Sequence, residues 1–416
     1  MIHHSHKSAS IARTSSTVGT FDNADATNPI IASTDLDLDE TAESPANKRH
    51  HIPLIFQADD DITVPCPQTE TVAPLMKTIA SSQHSLHFPK GELSGGELVR
   101  PYECPERWDY IVQALSAGGF SAPEVPSPLD MSPVGKVHQQ DYLEFLAVAW
   151  NLWEAEGFNG EALPTVVPAR RMQQREPQHI DGKLGYFAMA IETAITSGTY
   201  TAAKSSAACA QTAALILNSG QTSAFALCRP PGHHAGIDLY GGYCFLNNAA
   251  IAAQTLLDEG ASRVSILDVD FHHGNGTQDI FYKRSDVQFL SLHGDPMHAF
   301  PHFLGYCDET GEGAGTGFNV NYPMLPGTAY DVWSTALKDA LAKIKAYSPD
   351  AVVVSLGVDT FERDPISFFK LNCEDFSRYG ELLATMAIPT LFVMEGGYAV
   401  EEIGINTCNV LTGFAS

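Results

Sequence analysis

Five short apolar runs, 224–227, 264–267, 287–290, 352–354 and 391–394, alternate with longer segments of helical periodicity such as 247–259 and 330–347. Near-continuous apolar strands joined by helical crossovers bury themselves in a parallel sheet that is covered on both faces. The run at 264 leads into Asp268-Val269-Asp270-Phe271-His272-His273-Gly274-Asn275-Gly276, and the run at 352 leads through Gly357 to Asp359. Two more lead into Arg229-Pro230-Pro231-Gly232-His233-His234 and Glu395-Gly396-Gly397-Tyr398. Ligands of such sheets gather beyond the carboxyl ends of the strands, so these four polar motifs are expected around one cleft. With 416 residues, 44% of them hydrophobic, the chain is long enough for one large α/β domain.

Asp268, Asp270 and His272 share strand parity, which turns their side chains to one side of an extended segment while Val269 and Phe271 turn to the other. Together with Asp359 from the second strand, Asp270 and His272 make a set of one imidazole and two carboxylates. Such a set holds a catalytic divalent ion and leaves a position open for water. A lone buried histidine is more often a hydrogen-bonded core residue than a ligand, but Asp-x-Asp-x-His-His-Gly-x-Gly is far more specific. Asp268, set further in, suits an outer role: accepting a hydrogen bond from a catalytic histidine and helping backbone carbonyls bind a monovalent cation. The pattern implies a metal-dependent hydrolase; zinc fits, and Fe(II) or Co(II) would fit the same donors.

Two prolines fix and two glycines free the backbone around His233 and His234, presenting adjacent imidazoles at a strand end. Adjacent imidazoles could be further ligands, but with three candidate ligands already present the pair reads as one general base and acid beside one electrostatic partner. Each ring needs an orienting acceptor, and Asp268 and Asn275 are placed to supply them. Glycines before Tyr398 let the turn swing its phenol over the cleft, where the hydroxyl can donate to a forming oxyanion. Gly242-Tyr243 and Phe300 would form two facing walls, a slot for a thin methylene chain.

The formal net charge is −25, and residues 1–50 contribute little of it, with Lys7, Arg13, Lys48 and Arg49 set against Asp22, Asp25, Asp35, Asp37, Asp39, Glu40 and Glu43. An acidic body repels nucleic acid and anionic membrane and concentrates cationic substrates. The eight cysteines include no CxxC pair, which fits a reducing compartment, and no apolar stretch approaches the roughly 18 residues of a membrane span. A cytoplasmic protein is expected. Residues 1–51 are rich in Ser, Thr, Asp and Ala and read as a disordered extension. Within 157–182 the periodicity lapses around Pro164, Pro168 and Pro177, with Arg170, Arg171 and Arg175 clustered, which reads as an inserted functional or interfacial loop.

From about Ile52 to the C-terminus these motifs resemble the histone deacetylase and acetylpolyamine amidohydrolase family, and more closely its bacterial acetylpolyamine amidohydrolases. Asn275, where many histone deacetylases carry Asp, points to the polyamine and class II branches. The resemblance implies an arginase-like three-layer α/β/α fold with a central, mostly parallel eight-stranded sheet, in a single zinc-dependent deacetylase domain over 52–416. It implies one zinc on Asp270, His272 and Asp359, with His234 as base and acid, His233 as electrostatic partner and Tyr398 as carbonyl polariser. It further implies potassium on Asp268, Asp270, His272, Ser291 and Leu292, and substrate walls at Gly242, Tyr243 and Phe300. Asp181 and Glu192 would attract a distal ammonium, and the 157–182 loop would mediate a homodimer and narrow the entrance. Two departures stand out: Ser94 replaces an aromatic hydroxyl, and Asp181 is a methylene shorter than the family's Glu. The implied substrate is a small acetylated polyamine, with peptide acetyl-lysine as the alternative and a catalytically inactive acyl-amine binder as the remaining one. A dimanganese ureohydrolase is disfavoured because Phe361 stands where a bridging carboxylate would follow Asp359.

Overall fold

The computed structural model describes residues 76–169 and 173–416. In chain order its elements are β1 (Lys77–Ala80), β2 (Glu92–Ser94), β3 (Glu97–Val99), α1 (Glu106–Ala117), α2 (Met131–Val137), α3 (Gln140–Ala155), α4 (Ile180–Tyr186), α5 (Thr199–Asn218), β4 (Ser223–Leu227), α6 (Asn248–Asp258), β5 (Val264–Asp268), α7 (Asn275–Phe281), β6 (Val287–Gly294), β7 (Asn319–Met324), α8 (Tyr330–Tyr347), β8 (Ala351–Leu356), α9 (Cys373–Ala384), β9 (Thr390–Met394) and α10 (Val400–Ala415). One seven-stranded sheet runs in the order β1-β4-β9-β8-β5-β6-β7, with every neighbouring pair parallel. β2 and β3 form a separate antiparallel hairpin. The five expected strands and the helices expected at 247–259 and 330–347 are all present.

Alternation along each strand divides the interior into two cores. Ala224, Ala226, Val264, Ile266, Val353, Leu391 and Val393 pack with helices α2 to α6 on one face. Phe225, Leu227, Leu267, Val352, Val354, Phe392 and Met394 pack with α1, α8, α9 and α10 on the other. Successive side chains point to opposite faces, so a strand covered on both sides is apolar at most positions. The first face is built from small residues, with Ala203, Ala207, Ala210 and Ala214 of α5 and Ala249, Ala250 and Ala253 of α6 all buried. Alanine lets these helices lie close to the sheet and to each other.

The three-layer α/β/α architecture is the one expected, but the sheet has seven strands among the described residues rather than eight. Beyond β1 the pairing continues only as a single parallel bridge from Ile79 to Glu124, with Ala80 N–H donating to Glu124 O at 2.9 Å and Glu124 N–H to Thr78 O at 2.8 Å. Pro123 and Pro126 flank that bridge and have no N–H to extend it. The insertion expected at 157–182 takes in the start of α4, which His179 caps by accepting from Asp181 N–H. It is tied down through Ala162, whose N–H and O both bond Ile195, at 3.0 and 2.9 Å. The extension at 1–51, the boundary at Ile52, and Arg170 and Arg171 lie outside the described residues. Among those described, no helix is long and apolar enough to cross a membrane.

His138, at the end of α2, joins two site-bearing loops. Its Nδ1 lies 2.8 Å from Gly236 O, to which it donates, and its Nε2 accepts from Asn247 N–H at 3.0 Å. Burial drives its pKa down to about 4, against the opposing hydrogen bonds to Gly236 and Ile237. Below the ordinary value of about 6.5 the unfolded chain takes up a proton that the folded one refuses. Folding stability should therefore fall as pH drops from about 6.5 to about 4, at up to roughly 1.4 kcal/mol per pH unit from this residue. Urea unfolding across that window should show a shallower slope for His138→Gln than for the wild type; equal slopes would refute the assignment.

Candidate active site

β5 ends at Asp268, and the chain beyond it curls so that Asp270 and His272 meet Asp359 from the loop after β8. One donor atom from each of the three lies within 4.8 Å of the others. His272 Nδ1 is 2.9 Å from Asp359 Oδ2 and 3.3 Å from Asp270 Oδ1. Backbone amides aim both carboxylates: Phe271 N–H donates to Asp359 Oδ1 at 2.7 Å, and Gly396 N–H to Asp270 Oδ2 at 2.7 Å. Asp270 and Asp359 are wholly buried. Burial and the neighbouring Asp270 push Asp359 up to about 8, whereas His233 and His272 outweigh burial and hold Asp270 well below the usual carboxylate range. Burial opposes charge on His272 too, but its bonds to Asp270 and Asp359 push it up to about 10. Two carboxylates this close and this dry need a positive charge between them, and an oxygen–oxygen–nitrogen donor set is what a divalent cation takes.

The backbone leaves no spare room there. A Cβ on Gly357 would lie 2.0 Å from Asp270 Oδ2, and one on Gly396 would lie 2.5 Å from that atom and 2.6 Å from Asp359 Oδ2. The two glycines form a cradle that lets main chain press against both carboxylates.

The histidine pair follows β4. His233 Nδ1 meets Asp268 Oδ2 at 2.9 Å and His234 Nδ1 meets Asn275 Oδ1 at 2.7 Å, the two acceptors expected. Their electrostatics diverge. Burial disfavours charge on His233, but Asp270 and Asp268 prevail and push its pKa up to about 10. Burial, reinforced by the charges of His233 and His272, drives His234 well below the ordinary histidine value. The two rings are thus pushed in opposite directions, a division of labour suited to acid–base chemistry.

Tyr398 follows β9 and is held from behind. Its N–H donates to Asp364 Oδ2 at 2.7 Å, and the Arg107 guanidinium lies 5.0 Å from its ring centroid. Arg107 also donates to Gly397 O at 2.7 Å and to Glu395 O at 2.5 Å. Tyr243, at φ 66°, stands edge-on to Tyr398 with centroids 5.7 Å apart. A bulky residue in the left-handed region is a strained placement that the surroundings must impose. Its neighbour Gly242 has a reason to be Gly, since a Cβ there would lie 2.4 Å from His234 Cδ2. Phe300 completes the slot, 5.0 Å from the His234 ring. The resulting cleft, about 470 Å³, is lined by His234, His272, Tyr398, Gly242, Tyr243 and Phe300, and also by Ser94 and Glu192.

Residues 101–414 match the histone deacetylase domain. The chain is 56% identical over 340 residues to an acetylpolyamine amidohydrolase of Mycoplana ramosa, a match covering 82% of this chain and 100% of that protein. The chain belongs to the histone deacetylase family. Acetylpolyamine amidohydrolase 2 of Pseudomonas aeruginosa is 52% identical over 339 residues, covering 82% of this chain and 98% of its own. Among solved structures, an acetylpolyamine aminohydrolase from Burkholderia pseudomallei superposes with a TM-score of 0.78 at 38% identity, covering 82% of this chain and 99% of that one.

Not every expected residue reaches this deacetylase-family cleft. Asp181 is absent from its lining and sits on α4, accepting from Thr165 Oγ1 at 2.8 Å. Ser291 and Leu292 lie buried on β6 beneath the site; Ser291 pairs in register with Asp268, and its hydroxyl meets His293 Nδ1 at 2.8 Å. Sequence reasoning missed three carboxylates. Glu92 lines the cleft, with burial raising its pKa to about 7. Glu395 is raised to about 7 by burial, and its Oε2 accepts Gly232 N–H at 2.6 Å and His233 N–H at 3.1 Å, clamping the histidine loop. Glu103 pairs with both Arg107 and Arg229 at 2.8 Å. Glu395 directly precedes the Gly-Gly-Tyr turn and could have been suspected; Glu92 and Glu103 carry no local pattern.

Gly357→Ala should displace the Asp270 carboxylate and cut bound metal at least roughly tenfold, the scale of losing a partner that orients a ligand. Elemental analysis after gel filtration, with far-UV circular dichroism to confirm the fold, measures this; full metal occupancy in the variant would contradict the cradle.

Proposed function

We propose that the chain removes the acetyl group of acetylated polyamines of the acetylputrescine, acetylcadaverine and acetylspermidine type, releasing acetate and a free primary amine. It is a hydrolase of C–N amide bonds. The observation that carries this reading is the convergence of His272, of the buried Asp270–His272–Asp359 cluster, with a neutral His234 and Tyr398 in the lining of one cleft. Asp270, His272 and Asp359 would hold one zinc ion, with Fe(II) as an alternative for the same donors. When bound, that ion supplies Lewis acidity, polarising the acetyl carbonyl and lowering the pKa of water.

The chain's own groups do the rest. His234 commits its Nδ1 to Asn275 and so presents Nε2 to the cleft, where it takes the attacking water's proton and later passes it to the departing amine. His233, kept cationic on Asp268, places a fixed positive charge beside the developing negative one. The Tyr398 hydroxyl donates to the former carbonyl oxygen as charge grows on it. Tyr243 and Phe300 confine the methylene chain and exclude solvent, and Glu192 in the cleft lining draws in the distal ammonium.

Three further assignments belong to this reading. Potassium would bind beneath the site at Asp268, Asp270, His272, Ser291 and Leu292, where β5 and β6 pair in register. A single catalytic domain would span 52–416. The loop after α3 leaves Val166 and Val167 exposed, 59% and 48%, which suits contact with a second copy of the chain, and Asp181 would act at that shared edge. Sedimentation velocity should therefore report a homodimer, and a charge placed at Val166 should shift it towards monomer.

Purified, metal-analysed enzyme should hydrolyse acetylputrescine in preference to an acetyl-lysine peptide. Tyr398→Phe should lower kcat by ~10²–10³ while retaining metal. Preference for the peptide would move the assignment to protein deacetylation, and an unaffected Tyr398→Phe would remove the oxyanion role.

A further inference from the structure

The turn that carries Tyr398 is held through both kinds of backbone group. The Arg107 guanidinium takes its carbonyls, donating to Glu395 O at 2.5 Å and to Gly397 O at 2.7 Å. The Asp364 carboxylate takes its amides: Oδ2 accepts Tyr398 N–H at 2.7 Å and Ala399 N–H at 3.3 Å. The other oxygen, Oδ1, accepts Ile366 N–H at 3.1 Å. Asp364 is buried and belongs to the loop after β8 that also carries Asp359. Ile366 and Tyr398 both line the cleft. One carboxylate thus joins the loop that supplies a metal donor to the turn that supplies the phenol. Ala399, at the start of α10, has no side chain able to accept a hydrogen bond, so the anion at that helix's positive end is brought from a separate loop.

We propose that Asp364 is a positioning residue for the reaction: by holding the Tyr398 and Ala399 amides it sets where the Tyr398 hydroxyl meets the developing oxyanion. This rests on the oxyanion role given to Tyr398 above and deepens it. The phenol is a long lever on a turn that contains Gly396 and Gly397, the second at φ 131°, where residues with side chains are rarely found. Glycine leaves that turn free, so contacts must impose its direction. An oxyanion donor works only at hydrogen-bond distance from the atom on which charge grows, and a misplacement of about 1 Å can cost ~10²-fold in rate. A buried carboxylate that accepts two amides is a stiff tether, because charge-assisted hydrogen bonds are short and gain strength where water is excluded. The Arg363–Glu402 pair, at 2.7 Å, also links this loop to α10, but both residues stand outside the cleft lining. It secures the helix, whereas Asp364 aims the phenol.

The test is a double-mutant cycle on metal-loaded protein, reading kcat for acetylputrescine in wild type, Asp364→Ala, Asp364→Asn, Tyr398→Phe and each Asp364 variant combined with Tyr398→Phe. Alanine removes both oxygens. Asparagine keeps one and turns an NH2 towards one set of amides, so its loss should be smaller. Asp364→Ala should lower kcat roughly 10- to 100-fold with bound metal retained, the scale of a misplaced reacting group. Once Tyr398 has lost its hydroxyl, neither replacement at 364 should cost more than about twofold further. Should the alanine variant fail to fold, as its melting temperature reports, the asparagine pair decides by the same comparison. Equal losses in the two backgrounds would make Asp364 a brace for the fold or for the metal loop and overturn the assignment, as would an unchanged kcat in the folded variant. A Tyr398→Phe enzyme with full activity overturns the oxyanion role and this inference with it. A large loss there and none at Asp364 overturns this inference alone.

Discussion

Three aspartates at the ends of neighbouring strands, Asp268, Asp270 and Asp359, are fully buried, and the surrounding structure is arranged to tolerate them. Burying a carboxylate costs several kcal/mol unless positive charge and hydrogen bonds replace the lost water. Here the replacements are specific. His233 answers Asp268, His272 answers Asp270 and Asp359, and the N–H groups of Asp270, Phe271 and Gly396 supply donors. A divalent cation completes the same balance. The requirement for positive charge at one point in a dry core explains why imidazoles, amides and close-packed glycines all converge there.

The same negative charge sets the two adjacent histidines apart. His233 lies against Asp268, which favours its charged form, while burial and that neighbouring charge hold His234 well below the ordinary histidine value. Identical residues one position apart are pushed in opposite directions because carboxylates outweigh burial at His233, whereas at His234 burial and its neighbour's charge prevail over the bond to Asn275. Holding this difference requires a rigid loop, and the Glu395 carboxylate provides it by accepting two of the loop's N–H groups. Arg107 ties the Glu395 carbonyl and the Gly397 carbonyl to α1, so the histidine loop and the tyrosine turn are braced by one residue pair.

Much of this was legible in the chain. The strands β4, β5, β6, β8 and β9 are covered on both faces and so are predominantly apolar, which made them visible as runs. The edge strands were not. β7 reads Asn319-Val320-Asn321-Tyr322-Pro323-Met324, with polar residues and a proline that only an edge tolerates, and β1 has four residues. Beyond β1 the pairing adds only one bridge, at Glu124, which prolines flank. Local spacing likewise revealed Asp268, Asp270, His272, His233 and His234, since each motif lies within a few residues of a strand end.

The sequence alone determined the layered architecture, the strand ends that carry chemistry and the donor types available to a metal, because periodicity and spacing act within a few residues. Only the tertiary structure decided which of those ends share a cleft, which way each histidine is pushed, and that Glu92 lines that cleft and Glu395 clamps the histidine loop while Asp181 stands outside the lining. These depend on contacts between segments more than a hundred residues apart, such as Glu92 with Tyr243 and Gly232 with Glu395. Burial and charge at such contacts are properties of the folded whole, and no local pattern encodes them.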